Sequence, residues 1–187
     1  MFPFAFALAL TALSPVHPAA SVSTGAAISV CFAPEEDCAA LAVRAIDNAA
    51  REILVSAYGL TVGSGIVGAL IRAKERGVDV KLIADRSTPC GRGSGVEPLV
   101  AAGVPTWIDN QARIAHTKAM VLDSEATLMG SMNWTGGTAR NSEDLNFVAS
   151  RPVAEAYAAH WRERLAVSVP FARREDWCRE LTAAASN

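Results

Sequence analysis

Residues 116–133 read HTKAMVLDSEATLMGSMN. The stretch holds one of only three histidines in the chain, with a lysine two residues on, an aspartate five beyond that, and then Gly-Ser-x-Asn. Side chains alternate faces along an extended chain, so His116 and Lys118 point the same way, as do Ser131 and Asn133 if that backbone is also extended. An imidazole, an ammonium, a hydroxyl and a carboxamide then converge on one side. Lysine and asparagine donate to the non-bridging oxygens of a phosphate. Histidine can attack phosphorus or carry a proton. No carboxylate cluster of the kind that holds Mg²⁺ accompanies them. The chemistry implied is phosphoryl transfer with no metal or other cofactor.

Each piece taken singly is ordinary. A histidine on a strand is commonly a hydrogen-bonded structural residue, and Gly-Ser-Met-Asn alone is a turn. The full spacing, H-x-K-x4-D-x6-G-S-x-N, is what sets the stretch apart.

Strands and helices alternate around it. AAISVCF is expected to form a strand, followed by a helix in which Ala39, Ala42, Val43, Ile46, Ala49 and Ala50 recur at helical spacing. EILVSAYGL is a buried strand. SGIVGALIRAKERG is a helix with Ser64 as cap and Gly77 as stop. VDVKLIAD is the next strand, the breaker-rich RSTPCGRGSG a loop, VEPLVAAG a short helix and PTWID a strand. Strands then follow closely over 113–123, 125–131 and 142–150, and VAEAYAAHWRERLA closes the pattern as an amphipathic helix. The expectation is an α/β fold with a mixed, largely parallel sheet flanked by helices, one domain over residues 28–187.

The first twenty residues, MFPFAFALALTALSPVHPAA, are apolar and end in small residues. They are expected to be a secretory signal peptide, cut between Ala20 and Ala27, although no Lys or Arg precedes the apolar run. A membrane tether or a buried helix is the alternative. Export suits the four cysteines, for which three pairings exist. Cys31 and Cys38 bracket a short loop and can close it, which would leave Cys90 and Cys178 as a long-range staple. A zinc site is the other use, though the spacing is wide and no histidine is near. Net charge is −2, so the surface as a whole is no footprint for nucleic acid. A local basic rim is available in Arg86, Arg92, Arg113 and Lys118, against Glu97 and Asp109 over the same span.

His116, Lys118, Asp123, Gly130, Ser131 and Asn133 resemble the signature of the phospholipase D superfamily. CFAPEEDC, AIDNAAREILVSAYGLT, ALIRAKERGVDVKLIADRS, ARNSEDLNFV and HWRER resemble its secreted bacterial endonuclease branch. The resemblance spans roughly residues 28 to 165. It implies that His116 is a nucleophile forming a phosphohistidine, that Lys118 and Asn133 hold the phosphate, and that Ser131 adds a hydrogen bond. It also implies that Glu143 orients the histidine and that Asp123 helps fix the site structurally. Arg86, Arg92, Arg113 and Arg140 are candidate phosphate contacts.

Such a mechanism uses two histidines. His17 lies in the expected signal, and His160, followed by Trp161 and Arg162, is expected to pack on the last helix. No internal repeat supplies a second motif. The missing imidazole should therefore come from a second copy, giving a two-fold homodimer with facing His116 rings. The function expected is hydrolysis of DNA, possibly RNA, outside the cytoplasm, with no stable membrane insertion once the signal is removed. Nothing resembles a base-reading element, so binding should follow the backbone and weaken with salt. Two alternatives stand beside it. One is a phospholipase acting on glycerophospholipids, with Trp107 and Trp134 available to gather lipid. The other is a non-catalytic nucleic-acid-binding module.

Overall fold

A computed structural model describes residues 25–172 and Cys178; the expected signal peptide lies outside the described residues. The chain runs β1 (Ala27–Ala33), α1 (Cys38–Asn48), β2 (Glu52–Ala57), α2 (Ile66–Glu75), β3 (Asp79–Asp85), α3 (Val96–Ala101), β4 (Thr106–Asp109), β5 (Ala119–Leu122), β6 (Ala126–Gly130), β7 (Glu143–Ala149), α4 (Arg151–Val167) and β8 (Val169–Pro170). The strands form one sheet in the order β1-β7-β6-β5-β2-β3-β4-β8. Helices flank it, as an α/β class requires. Parallel pairing is confined to β2–β3 and β3–β4; every other ladder is antiparallel. The parallel part is smaller than the sequence pattern suggests because helical crossovers join neighbouring strands only at β2–α2–β3 and β3–α3–β4. From β4 to β7 the strands follow by turns or loops, which favours antiparallel neighbours, and α4 then carries the chain from β7 to β8 at the other side of the sheet.

Three helices cover one face. Ala42 and Ile46 of α1, Ile66 and Leu70 of α2, and Val96 and Leu99 of α3 pack with Ile53, Val55, Leu82, Met120, Leu128 and Leu145 of the sheet. Among the described residues the opposite face has α4 alone. Its Ala154, Ala158 and Trp161 pack on Leu54, Ile83 and Val121, and the Trp161 indole donates to the Val55 carbonyl at 3.0 Å. That single helix leaves part of the face open. In β1, Cys31 and Ala33 turn toward the three-helix side, so Ile28, Val30 and Phe32 point the other way, and all three stay about half exposed (48–59%).

Disulfides join Cys31 to Cys38 and Cys90 to Cys178, so the cysteines are not metal ligands. The first ties the end of β1 to the start of α1. The second ties the loop after β3 to the chain beyond β8.

Candidate active site

The sheet has two edges in the sense of strand ends, and chemistry collects at one. The carboxyl ends of β2, β3 and β4 lie beside the start of β5, the end of β6 and the start of β7. Parallel strand ends are where α/β folds usually place ligands. His116 and Lys118 immediately precede β5, Ser131 and Asn133 immediately follow β6, and Glu143 opens β7. The structure brings these five together.

The linker that carries His116 is not the strand expected from residue 113. β2 ends its pairing at Ser56, opposite Ala119, and then turns away at Tyr58 and Gly59. Residues before Ala119 therefore have no strand beside them. Lys118 instead folds back, and its ammonium donates to the His116 carbonyl at 2.8 Å. The Tyr58 ring fills the angle between the two, 4.4 Å from the His116 ring centroid and with the ammonium 5.0 Å over its face. A cation over an aromatic face is modestly stabilised. Tyr58 was missed because the sequence shows it only as the tail of an apolar strand.

Lys118 is 8% exposed. Burial pushes its ammonium below the ordinary lysine range, and the charge of Glu143 pulls only partly against that. The Asn133 carboxamide has a buried oxygen with no partner among the described residues; a carboxamide flip would present its NH₂ there instead. His116 is exposed, and its ring nitrogens make no hydrogen bond to a described side chain. A buried cation, a buried amide oxygen without a partner and an exposed imidazole belong to the three motif residues, a set of groups that suits an anion.

Glu143 and Ser131 are engaged with each other. The Ser131 hydroxyl donates to Glu143 and accepts from the Asp144 amide at 3.0 Å, while Asn141 donates to the other Glu143 oxygen at 3.2 Å. Glu143 makes no hydrogen bond to His116 in this single chain; its contact with the histidine side of the site is through the field it exerts on Lys118. Two glycines make the approach possible. A Cβ at Gly130 would collide with the Asp144 carbonyl, and one at Gly59 would press on Asn133 at 3.3 Å.

Asp123 lies at the opposite edge, beyond the far end of β5. Its carboxylate accepts from the amides of Ala50, Arg51 and Glu52 at 2.7–2.9 Å, tying the β5–β6 turn to the start of β2. Burial works against its charge, but those donors and Arg51 outweigh it and hold the carboxyl below the usual aspartate range. Arg86, Arg92, Arg113 and Arg140 are all exposed and all sit on loops leaving the His116 edge.

A cavity of about 220 Å³ opens beside His116, lined in part by Ser56, Ile83, Ile114, Thr117 and Arg164. His160 lines it too. It lies on the last helix as expected, but exposed: its side chain is 54% accessible, with Nδ1 3.6 Å from Glu163. Trp134 is fully buried, its indole donating to the Ser56 carbonyl, and Trp107 packs edge-on against Trp161. Trp134 is therefore not available to gather lipid as the sequence suggested, and Trp107 is only partly exposed.

Comparison with known proteins identifies the family and the fold. A family described as cardiolipin synthase, PLD-like domain, matches residues 42–166. The phospholipase D of Rickettsia conorii is 34% identical over 160 residues, covering 85% of this chain and 80% of that protein. That of Rickettsia prowazekii is 34% identical over 142 residues, 75% and 69% of the two chains. Among solved structures, the phospholipase D family member Nuc from Salmonella typhimurium superposes with a TM-score of 0.73 at 29% identity, covering 79% of this chain and 99% of that one. NucT from Helicobacter pylori gives 0.71 at 20% identity, with 78% and 99% covered. In sequence over most of its length, and in fold, the chain belongs to the phospholipase D superfamily.

Proposed function

We propose that this chain is a metal-independent phosphodiesterase that hydrolyses nucleic acid through a phosphohistidine at His116. One observation carries the reading: the buried Lys118 ammonium reaches back to the His116 carbonyl with the Tyr58 ring against both side chains, and Asn133, packed on the adjacent Gly59, has a buried amide oxygen without a partner. Such a set of groups suits a phosphoryl group whose charge builds in the transition state. A ring nitrogen of His116 bonds to phosphorus as the bond to the leaving oxygen breaks, and that oxygen takes a proton from a second imidazole. The same imidazole then removes a proton from water, whose oxygen attacks phosphorus and releases His116. Asn133 and Lys118 hold the non-bridging oxygens throughout.

The second imidazole is proposed to be His116 of another copy. The open apolar face of β1 suits such a partner. Ile28, Val30 and Phe32 lie exposed on the α4 side of the sheet, and Phe32 pairs with Asp144 at the catalytic edge. An exposed apolar row of this kind is common material for a two-fold interface. The disulfides favour an oxidising compartment, in keeping with a secreted or periplasmic protein.

Nucleic acid is preferred as substrate because exposed Arg86, Arg92, Arg113 and Arg140 lie on connections at the same edge, where cations can contact a phosphate backbone. Phospholipid is the second reading. The Rickettsia relatives are named for it, and exposed Ile114 lines the cavity beside His116. Among the described residues no helix is long and apolar enough to cross a membrane. One assay separates the readings. The oxidised protein is incubated in EDTA with plasmid DNA and with phosphatidylcholine vesicles, beside His116→Asn. Nicking that survives chelation and vanishes in the variant is the expected result. Lipid turnover alone selects the phospholipase, and binding without turnover selects a non-catalytic module.

A further inference from the structure

We propose that Asp85, seconded by Asp109, is a positioning residue for His116: two buried carboxylates at register-paired ends of β3 and β4 hold the linker that delivers the imidazole. The proposal rests on His116 being the nucleophile. Asp85 and Asp109 face each other across the β3–β4 ladder, and each is 2% exposed. A carboxylate so buried is costly unless its oxygens are occupied. Both are, and both are spent partly on the same linker. Asp109 Oδ1 accepts from the amide of Gln111 at 3.2 Å, with the Ala112 amide at the limit of contact, while both its oxygens take the Arg164 guanidinium at 2.7 Å. Burial alone would push this carboxyl up, but Arg164 and the linker amides outweigh it and hold it ionised below the usual range. Asp85 Oδ2 accepts from the amide of Ala115 at 2.7 Å, one residue before His116, and its Oδ1 takes the amide and hydroxyl of Ser87.

The reason for the device lies in the sheet. Residues 110–118 belong to no strand, so no ladder fixes where the nucleophile stands. The linker is anchored at its start by Asp109, clamped to α4 through Arg164, and at its end by Asp85. His116 is then bracketed between the Asp85-bound amide of Ala115 and its own carbonyl, which Lys118 holds. Neither aspartate reaches the reacting atoms; both act through backbone. In-line attack tolerates little displacement, and an error of about 1 Å costs roughly 10²-fold in rate.

Asp85→Asn keeps the size but turns one acceptor into a donor, so it cannot satisfy both Ala115 and Ser87. The test is steady-state and single-turnover hydrolysis of bis(4-nitrophenyl) phosphate, a small diester that needs no extended contacts, by wild type, Asp85→Asn and His116→Asn. A thermal melt confirms that each is folded at the assay temperature. The expected result is a fall of about 10- to 100-fold in kcat and in the rate of phosphohistidine formation, with KM nearly unchanged. A purely structural aspartate would lower the melting temperature and leave kcat per folded molecule alone; that outcome overturns the proposal. If Asp85→Asn does not fold, Ala115→Pro removes the donor and leaves Asp85 with Ser87, and full kcat in that variant overturns it equally. The two readings fail separately: turnover that survives His116→Asn removes the nucleophile assignment, whereas loss in His116→Asn with full kcat in Asp85→Asn removes only the positioning role.

Discussion

At the level of single residues, the site is built around a cation kept in a place that does not suit it. The Lys118 ammonium is buried and has the His116 carbonyl, the face of Tyr58 and the distant pull of Glu143 for company. Its folded pKa is lowered, so the folded state holds its proton less tightly than the unfolded one. The charged ammonium therefore weakens the fold below the folded pKa, and the cost is relieved as pH rises through that value toward the ordinary lysine range. Lys118→Met should consequently melt at or above the wild-type temperature near neutral pH while losing at least about 10³-fold in kcat. Thermal melts paired with hydrolysis of a small diester check both halves; a variant that is less stable and still active contradicts the account. Residues of this kind were legible because identity and spacing name them. Tyr58, Asp85 and Asp144 were not, because their contacts to His116, Ala115 and Ser131 arise only when the sheet brings separate segments together. Nothing in SAYGL or LIAD announces that partner.

Elements place these residues, and here the sequence pattern succeeded on type more than on extent. Apolar runs identified the strands β2 and β3, and helical spacing identified α1, α2 and α4. The expected strand from residue 113 shrank to Ala119–Leu122 because a ladder needs a neighbour, and β2 has already turned away. Asp123 shows the same dependence. The resemblance implies a structural role near the site, and the structure puts that role at the opposite edge, in the β5–β6 turn, where Asp123 and Ser124 take left-handed φ values of 56° and 57°. Asparagine tolerates that conformation, so Asp123→Asn isolates the charge and one acceptor. Its loss should cost about 2 kcal/mol at neutral pH. The carboxyl's folded pKa is depressed, so its contribution is complete above the unfolded value near 3.8 and disappears as pH falls through the folded one. Urea titrations should show the gap between variant and wild type closing below about pH 4; a gap that stays constant into acid would mean the charge is not what matters. Gly130→Ala is predicted to be more damaging. Its methyl meets the Asp144 carbonyl, forcing apart the junction of β6 and β7 that carries Ser131, Asn133 and Glu143. Loss of both stability and turnover, by calorimetry and diester assay, is the expected outcome.

For the whole molecule the question is how many chains make one active site. The histidine count raised it from sequence, and the fold gives it a surface, since one helix cannot cover the second face of an eight-stranded sheet. Phe32→Glu places a charge in the open apolar row without touching the buried core. It should convert the proposed dimer to monomer by light scattering and abolish diester hydrolysis, even though His116, Lys118 and Asn133 are intact. A monomeric, fully active Phe32→Glu would instead assign the second proton transfer within one chain, where His160 shares the cavity with His116. Subunit mixing gives the stricter test. If each reaction needs both His116 rings, a hybrid of wild type and His116→Asn is dead, and activity falls as the square of the wild-type fraction. An equal mixture after full exchange should retain about one quarter of wild-type turnover, against about one half for independent sites. The curvature of that plot reads the stoichiometry directly, because stability, substrate affinity and salt act equally on both predictions and cancel from the comparison.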